Sequence, residues 1–364
     1  MEEYKRILST CFAENKDVVF DHVEVYGDFL PTVCKFTGAV MTDDGRIVGI
    51  PNSGNQIVVI NPDFEKTGRE PFELFNGAFE SEPFGWTGGV LYKGNIFALP
   101  RNANSVLKID PSHRTAERIA LPTTYEKANS AQGRDFHHYS GALCNGKIYC
   151  TPKGESHILV IDLDALNGSN AENVCHCIPC EAAGYLGAVL HPNGLIYFSP
   201  PDGCQVMILD PVSEKIRFIG DKSIYGAFKM SISPDGTMYG YSHSKGILKV
   251  DTVNERVTNV CDKIGVVPSG IYGCSWGFNG KCYAYISNNI HLFEFNPNNE
   301  SVSILAVIDD GKFNYAKCAG GILAQDGSIW QVPAFGRFIY RIVFSGIKTQ
   351  LPIEFLKQPY FSGY

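Results

Sequence analysis

Apolar residues recur along this chain in short runs, and each run leads into a turn signal. A second run, rich in aromatic and β-branched residues, follows the turn. This pattern is typical of antiparallel strands joined by hairpins. Helical periodicity is confined to the N-terminal segment, so we predict a short surface helix or arm over residues 1–17 and strands elsewhere.

Seven segments share this plan, and they start 42 to 53 residues apart. Each turn carries an Asp-Gly, Asn-Gly or Lys-Gly pair, which supplies the positive φ angles that a tight hairpin needs. The segments read GAVMTDDGRIVGIP from Gly38, GGVLYKGNIFALP from Gly88, GALCNGKIYCTP from Gly141, GAVLHPNGLIYFSP from Gly187, KMSISPDGTMYGYS from Lys229, GCSWGFNGKCYAYI from Gly273 and GGILAQDGSIWQVP from Gly320.

A third alternating strand and a weaker fourth strand follow each hairpin, as in QIVVINP and KIRFIG. Four strands repeated seven times predict an all-β fold, a seven-bladed β-propeller of four-stranded antiparallel blades. We predict one domain over residues 1–364, with blades starting near 38, 88, 141, 187, 229, 273 and 320 and a C-terminal tail over 346–364.

The hairpin steps resemble those of the YVTN, NHL and gluconolactonase-like propellers, whose blades also turn on Asn-Gly or Asp-Gly. The resemblance covers nearly the whole chain, but it rests on structural residues and identifies no close family. Gluconolactonase-like propellers hold a metal through carboxylate and Asn ligands deep in the channel. The inner strands here offer Gly, Ala, Val and Ser instead, so we predict neither a metal nor a cofactor.

The ring must be closed by one end of the chain, and two segments could supply the closing strand. One is VVFDHVEVY, residues 18–26, and the other is KTQLPIEF near the C-terminus. We predict the N-terminal segment, because it precedes Gly38 by about the spacing that outer strands keep elsewhere. Closure by the far end of the chain removes an exposed sheet edge.

Composition narrows the classes of partner. The hydrophobic fraction of 44% is that of a folded protein, and the net charge of -7 disfavours nucleic acid. No apolar run approaches the roughly 20 residues that span a bilayer. Most of the twelve cysteines lie in strand-like runs and are interpreted as reduced core residues. We therefore expect a cytoplasmic monomer with no membrane partner.

The stretch QGRDFHHYSG, residues 132–141, forms the long connection that leads into the third blade. Such connections open on one face of a propeller, at the channel mouth, and insertions there often carry function. Cations and aromatics gather on this face, which suits an anionic or planar ligand. The aromatics could instead be inter-blade packing residues. The candidate ligand-binding residues are Lys35, Trp86, Arg101, Arg134, His138, Tyr139, Lys153, Tyr185, Lys229, Tyr272 and Lys317.

Two function classes follow. The first is a binding propeller that uses the channel-mouth face for a protein, a peptide or a small anionic ligand. The alternative is a channel-mouth enzyme of lyase or hydrolase type, with His137 or His138 as a base oriented by Asp135. No GxSxG, HExxH or phosphate-binding glycine motif supports a specific reaction.

The motif CHCIPC contains zinc-ligand residue types at Cys175, His176, Cys177 and Cys180. The second half of a four-ligand site is missing nearby. The alternation fits an outer strand better, with Cys175 and Cys177 on one buried face.

Overall fold

The computed structural model describes residues 2–30, 34–122, 138–166, 174–180, 182–222, 226–233, 235–241, 246–260, 271–286, 291–308 and 317–357. For 2–5, 271–273 and 285–286 it describes the backbone alone. Within these ranges the chain forms 28 strands, arranged in seven antiparallel sheets of four strands each. The seven-bladed propeller is therefore confirmed. The described helices are α1 (Glu2–Glu14), α2 (Phe64–Thr67), α3 (Leu163–Leu166) and α4 (Ile353–Leu356).

The first three blades follow one another along the chain. Blade 1 contains β2 (Phe36–Met41), β3 (Ile47–Pro51), β4 (Gln56–Ile60) and β5 (Phe72–Asn76). Blade 2 contains β6 (Trp86–Tyr92), β7 (Asn95–Pro100), β8 (Ser105–Asp110) and β9 (Thr115–Ala120). Blade 3 contains β10 (Gly141–Cys144), β11 (Lys147–Cys150), β12 (His157–Asp162) and β13 (Cys175–Pro179).

The next three blades repeat the plan. Blade 4 contains β14 (Ala188–Leu190), β15 (Ile196–Phe198), β16 (Val206–Leu209) and β17 (Ile216–Ile219). Blade 5 contains β18 (Lys229–Ile232), β19 (Met238–Tyr241), β20 (Ile247–Asp251) and β21 (Arg256–Asn259). Blade 6 contains β22 (Ile271–Trp276), β23 (Cys282–Ile286), β24 (His291–Asn296) and β25 (Ser301–Val307). Each inner strand of the seven blades begins within two residues of its predicted position.

Blade 7 joins the two ends of the chain. It contains β26 (Cys318–Leu323), β27 (Ile329–Pro333) and β28 (Ile339–Ser345), and its outer strand is β1 (Val19–Tyr26). Strand β1 runs antiparallel to β28, with Val23 opposite Ile342. The predicted closure by the N-terminal strand is confirmed. The inner strands contact one another in sequence around the ring, and β26 contacts β2.

The hairpin turns between the first and second strands of the blades are of two kinds. All seven hairpin glycines have φ between 70° and 90°. In Lys93-Gly94 and Asn145-Gly146 both residues have positive φ, as predicted for a two-residue turn. In the other five turns only the glycine does. There the preceding Asp or Asn side chain accepts a hydrogen bond from the backbone N–H two residues later, as Asp326 does from Ser328 at 2.9 Å.

The end of the channel formed by these turns, here called the hairpin-turn face, is partly covered by the chain termini. Ile353 of α4 lies against Gly45, where an added Cβ would come 3.1 Å from its Cδ1. Helix α1 contacts the same C-terminal segment, because Cys11 Sγ lies 3.7 Å from Thr349 O. Just after the helix, Asn15 Oδ1 accepts a hydrogen bond from the backbone N–H of Lys348 at 2.8 Å.

None of the eleven described cysteines forms a disulfide, and most of them are buried. The prediction that Cys175 and Cys177 share a buried face is wrong. They lie on one face of β13, but Cys175 is only partly buried and Cys177 is exposed. The reason is position: β13 is the outer strand of blade 3, and blades diverge as they leave the channel, so neighbours cover outer strands less.

Among the described residues no helix has both the length and the apolar character required to cross a membrane.

Candidate functional site

Backbone hydrogen bonds define one end of the ring, here called the channel-mouth face. In one blade after another, the residue before the inner strand bonds to the residue that follows the second strand. Arg101 N–H donates to Gly85 O at 2.8 Å, and Thr151 N–H donates to Ser140 O at 2.8 Å. The two kinds of connection therefore lie together, as the repeat pattern predicts.

Cations and rings from three blades meet on this face. The Arg101 guanidinium carbon lies 4.8 Å from the centroid of the Phe84 ring and 5.2 Å from that of Tyr139. Lys153 Nζ lies 5.4 Å from the Tyr139 centroid. The Tyr139 ring meets the Phe228 ring edge to face at 5.2 Å. We call these five residues the mouth cluster.

The mouth cluster joins residues from three blades. Phe84 and Arg101 flank strands of blade 2, Tyr139 and Lys153 those of blade 3, and Phe228 precedes the inner strand of blade 5. The Tyr139–Phe228 contact therefore connects blade 3 with blade 5, past the intervening blade 4. A ligand at the mouth would meet aromatic faces and positive charge together.

Burial lowers the pKa of two lysines on this face, and repulsion by a neighbouring positive charge adds to the effect at one of them. Burial lowers the pKa of Lys153, and the neighbouring Arg101 charge lowers it further. Burial also lowers the pKa of Lys35, which lies at the start of the first blade. The Cys34 thiol has its pKa raised to about 11 by burial, against the opposing charges of Arg101 and Lys35. The positive charges of Lys35 and Arg101 thus both lower the pKa of the Cys34 thiol, although burial outweighs them.

Three predicted ligand-binding residues lie fully in the packed interior, whereas the largely buried Arg101 keeps about 9% of its surface exposed. Trp86 is fully buried, and its indole N–H donates to Ser105 O at 2.9 Å. Tyr185 is buried, and its hydroxyl donates to Gln205 O at 2.8 Å. Lys317 is buried as well.

His138 is also fully buried, and its Nδ1 lies 2.8 Å from the carbonyl oxygen of Thr151. Arg134, Asp135 and His137 lie outside the described residues, and so does the side chain of Tyr272.

Below the mouth, a cavity of about 570 Å³ occupies the channel. Its walls come from the inner strands of blades 1 to 5, where Gly89, Gly141 and Ala188 leave room. Lys229 lines it at the first position of β18. Burial lowers the pKa of this lysine to about 7, although the nearby Cys274 thiol opposes the shift.

Sequence reasoning missed two aromatic members of the mouth cluster, Phe84 beside Arg101 and Phe228 beside Tyr139. Phe84 has a φ of 53°, a conformation that bulky residues seldom adopt, and its N–H donates to Ser53 Oγ at 3.0 Å. No sequence pattern predicts this backbone conformation of Phe84. Phe228 precedes an inner strand as Tyr139 does, and that repeat position was the available signal.

Comparison with known proteins identifies the fold but does not assign the chain to a family. No protein-family model and no curated protein matches the chain. A streptogramin B lyase structure is similar at 14% identity and a TM-score of 0.68, covering 89% of this chain and 98% of that chain. YCF48 bound to D1 peptide is similar at 11% identity and a TM-score of 0.63, covering 89% and 96%.

The extracellular domain of a hybrid two component system from B. thetaiotaomicron is similar at 9% identity and a TM-score of 0.64. It covers 92% of this chain and 44% of that chain. The structural neighbours thus include a lyase and a peptide-bound protein on one propeller fold. Identities this low show the fold alone.

Proposed function

We propose that this propeller binds its ligand at the channel mouth, through an anionic group attached to a flat or apolar body. The observation that carries the proposal is the layered arrangement in which Arg101 lies between the Phe84 and Tyr139 rings while Lys153 faces Tyr139. Cations held against rings attract carboxylates and phosphates, and the ring faces accept planar groups.

Charge repulsion supports the same ligand class. The Arg101 charge lowers the pKa of Lys153, so each cation raises the free energy of the other. A bound anion opposes this repulsion and favours the charged form of Lys153. The anionic group could be carried by a small molecule or by a peptide side chain or C-terminus, since both present the same carboxylate chemistry.

Binding is favoured over histidine catalysis by the position of His138. Its ring is fully buried, and one nitrogen is already engaged with the Thr151 carbonyl. A general base must come within hydrogen-bond reach of the substrate proton. His138 therefore supports the loop that presents Tyr139.

Phenyl phosphate is a direct probe of this site, because it joins a dianion to a ring. We expect it to raise the melting temperature and to give a saturable titration by calorimetry, whereas phenol at the same concentration should do neither. Lys153→Met and Tyr139→Leu should each weaken the affinity about tenfold, the effect of losing one charge-assisted or stacking contact.

The matched control is Lys222→Met, which removes an exposed lysine outside the mouth cluster. It should leave the affinity unchanged. Equal losses of affinity in the mouth variants and in the Lys222 variant would mean that phenyl phosphate binds by general charge attraction and not at the mouth cluster. Equal responses to phenol and phenyl phosphate would show that binding does not need an anionic group, and would contradict that part of the proposal.

The proposal extends to a monomeric protein in the cytoplasm, without a membrane or nucleic-acid partner. Its support is the absence of disulfides among the eleven described cysteines, which suits a reducing compartment, and the net charge of -7.

A further inference from the structure

Lys229 differs in its position from the other lysines that line the cavity. Lys93 and Lys357 lie at the hairpin-turn face, where they pair with Asp164 and Asp43. Lys229 lies at the opposite end, one residue beyond Phe228 of the mouth cluster. The residue is partly buried and lines the cavity.

Much of the wall of the cavity that Lys229 lines is small and apolar. The inner strands contribute Ala39, Gly89, Gly141, Ala142 and Ala188 to the cavity. Such walls disfavour an ammonium ion, and they offer few hydrogen-bond donors for the two oxygens of a carboxylate. They suit instead an uncharged ligand with an apolar body.

We propose that Lys229 is a reactive amine that captures small aldehydes or ketones inside the channel as a reversible imine. The geometry supplies a lysine on the wall of a cavity large enough for a small molecule. Burial supplies the neutral form near neutral pH, and neutral lysine is the nucleophile that attacks carbonyl carbon. This inference does not depend on the ligand proposed for the mouth.

The step balances without any further reactant. The amine nitrogen forms a bond to the carbonyl carbon, and the carbonyl π electrons move to oxygen. A proton passes from nitrogen to that oxygen, giving a carbinolamine. The oxygen then leaves as water, and the nitrogen lone pair completes the C=N bond. Hydrolysis reverses the sequence.

A second polar group lies beside Lys229. The Ser199 hydroxyl is buried and has no hydrogen-bond partner among the described residues. A Cβ added at Gly187 would come 2.6 Å from this Oγ and 3.1 Å from the Cα of Lys229, so the two residues approach closely across the blade boundary. A hydroxyl here can exchange protons during the dehydration step.

The test is reductive trapping on the full-length protein at pH 7, with benzaldehyde as the probe and cyanoborohydride to reduce any imine. Peptide mapping by mass spectrometry then gives a labelling rate for each lysine. We expect Lys229 to be labelled first, at least about tenfold faster than the exposed Lys222, because an ordinary lysine is almost wholly protonated at pH 7.

Two comparisons make the outcome decisive. In denaturant the rates at Lys229 and Lys222 should become equal, since the preference comes from the folded channel. Lys229→Arg should remove the fast adduct, while Lys222→Arg should leave it. Native labelling of Lys229 at the rate of Lys222 would overturn the inference, and this measurement on the wild-type protein does not require any variant to fold. Phenyl phosphate binding at the mouth would be unaffected by that result.

Discussion

The guanidinium of Arg341 on β28 lies 2.9 Å from the carboxylate of Glu24 on β1. The strand that closes the ring is therefore held by an ion pair as well as by its ladder of backbone hydrogen bonds. Arg341 also contacts Asp326 at 2.8 Å and Glu65 at 3.0 Å, and it lies over the Trp330 ring at 5.5 Å. One largely buried arginine thus gathers acids from three parts of the chain.

Replacing Arg341 with Met should lower the free energy of unfolding by about 2–3 kcal/mol. Loss of one partner from a buried pair costs about 3–5 kcal/mol, and here the acids are partly exposed. Arg337→Met is the control, because Arg337 pairs with Asp28 in the same closure region but both side chains are well exposed. It should cost less than about 1 kcal/mol. Urea unfolding would measure both, and equal losses would contradict a special role for Arg341.

Glu24 should make closure of the ring pH-dependent. Burial alone raises its pKa, but hydrogen bonds from Tyr26 at 2.6 Å and from Arg341 outweigh it and hold the pKa below the ordinary 4.5. The native state then favours the carboxylate, so its contribution is complete above the unfolded pKa. It is lost as the pH falls through the lower native pKa.

We therefore expect Glu24→Gln to be less stable than wild type near pH 7, with the difference narrowing below pH 4. Equilibrium unfolding across pH 3–7 would show it. A stability gap that stays constant over this range would mean that the carboxylate charge contributes nothing to closure.

The cysteines should titrate as thiols. Eleven of the twelve cysteines are described, none of them in a disulfide, and the remaining one, Cys261, lies outside the described residues. Denatured, unreduced protein should react with a thiol reagent at close to all twelve positions. Recovery of six or fewer would indicate disulfides and an oxidising compartment.

Gly226 should resist substitution, because backbone surrounds it. An added Cβ would come 2.4 Å from Asp202 N and 2.5 Å from Pro201 C, and neither can move without shifting the blade 4 turn. Gly226→Ala should therefore lower the unfolding free energy by about 2 kcal/mol or more. Gly54 lies in another turn on the channel-mouth face, and an added Cβ there meets nothing within 4 Å. Gly54→Ala should be neutral or slightly stabilising, and similar melting temperatures for both variants would argue against the close packing.

Local patterns were enough to predict the ring. The hairpin glycines and the alternation of apolar residues report backbone angles and strand faces over a few residues, so blade number and inner-strand positions could be predicted from the sequence. The spacing before Gly38 likewise indicated the closing strand. These features depend on neighbours along the chain.

Contacts between distant segments could not be predicted from the sequence and became known only from the tertiary structure. Alternation does not tell whether an aromatic residue at a blade connection packs between blades, as Trp86 does, or meets a cation at the channel mouth, as Tyr139 does. The same holds for Phe228, which reaches Tyr139 across an intervening blade. The physical reason is that strand periodicity records local backbone geometry, whereas burial, pKa and ring contacts are set by whichever residues the closed ring brings together.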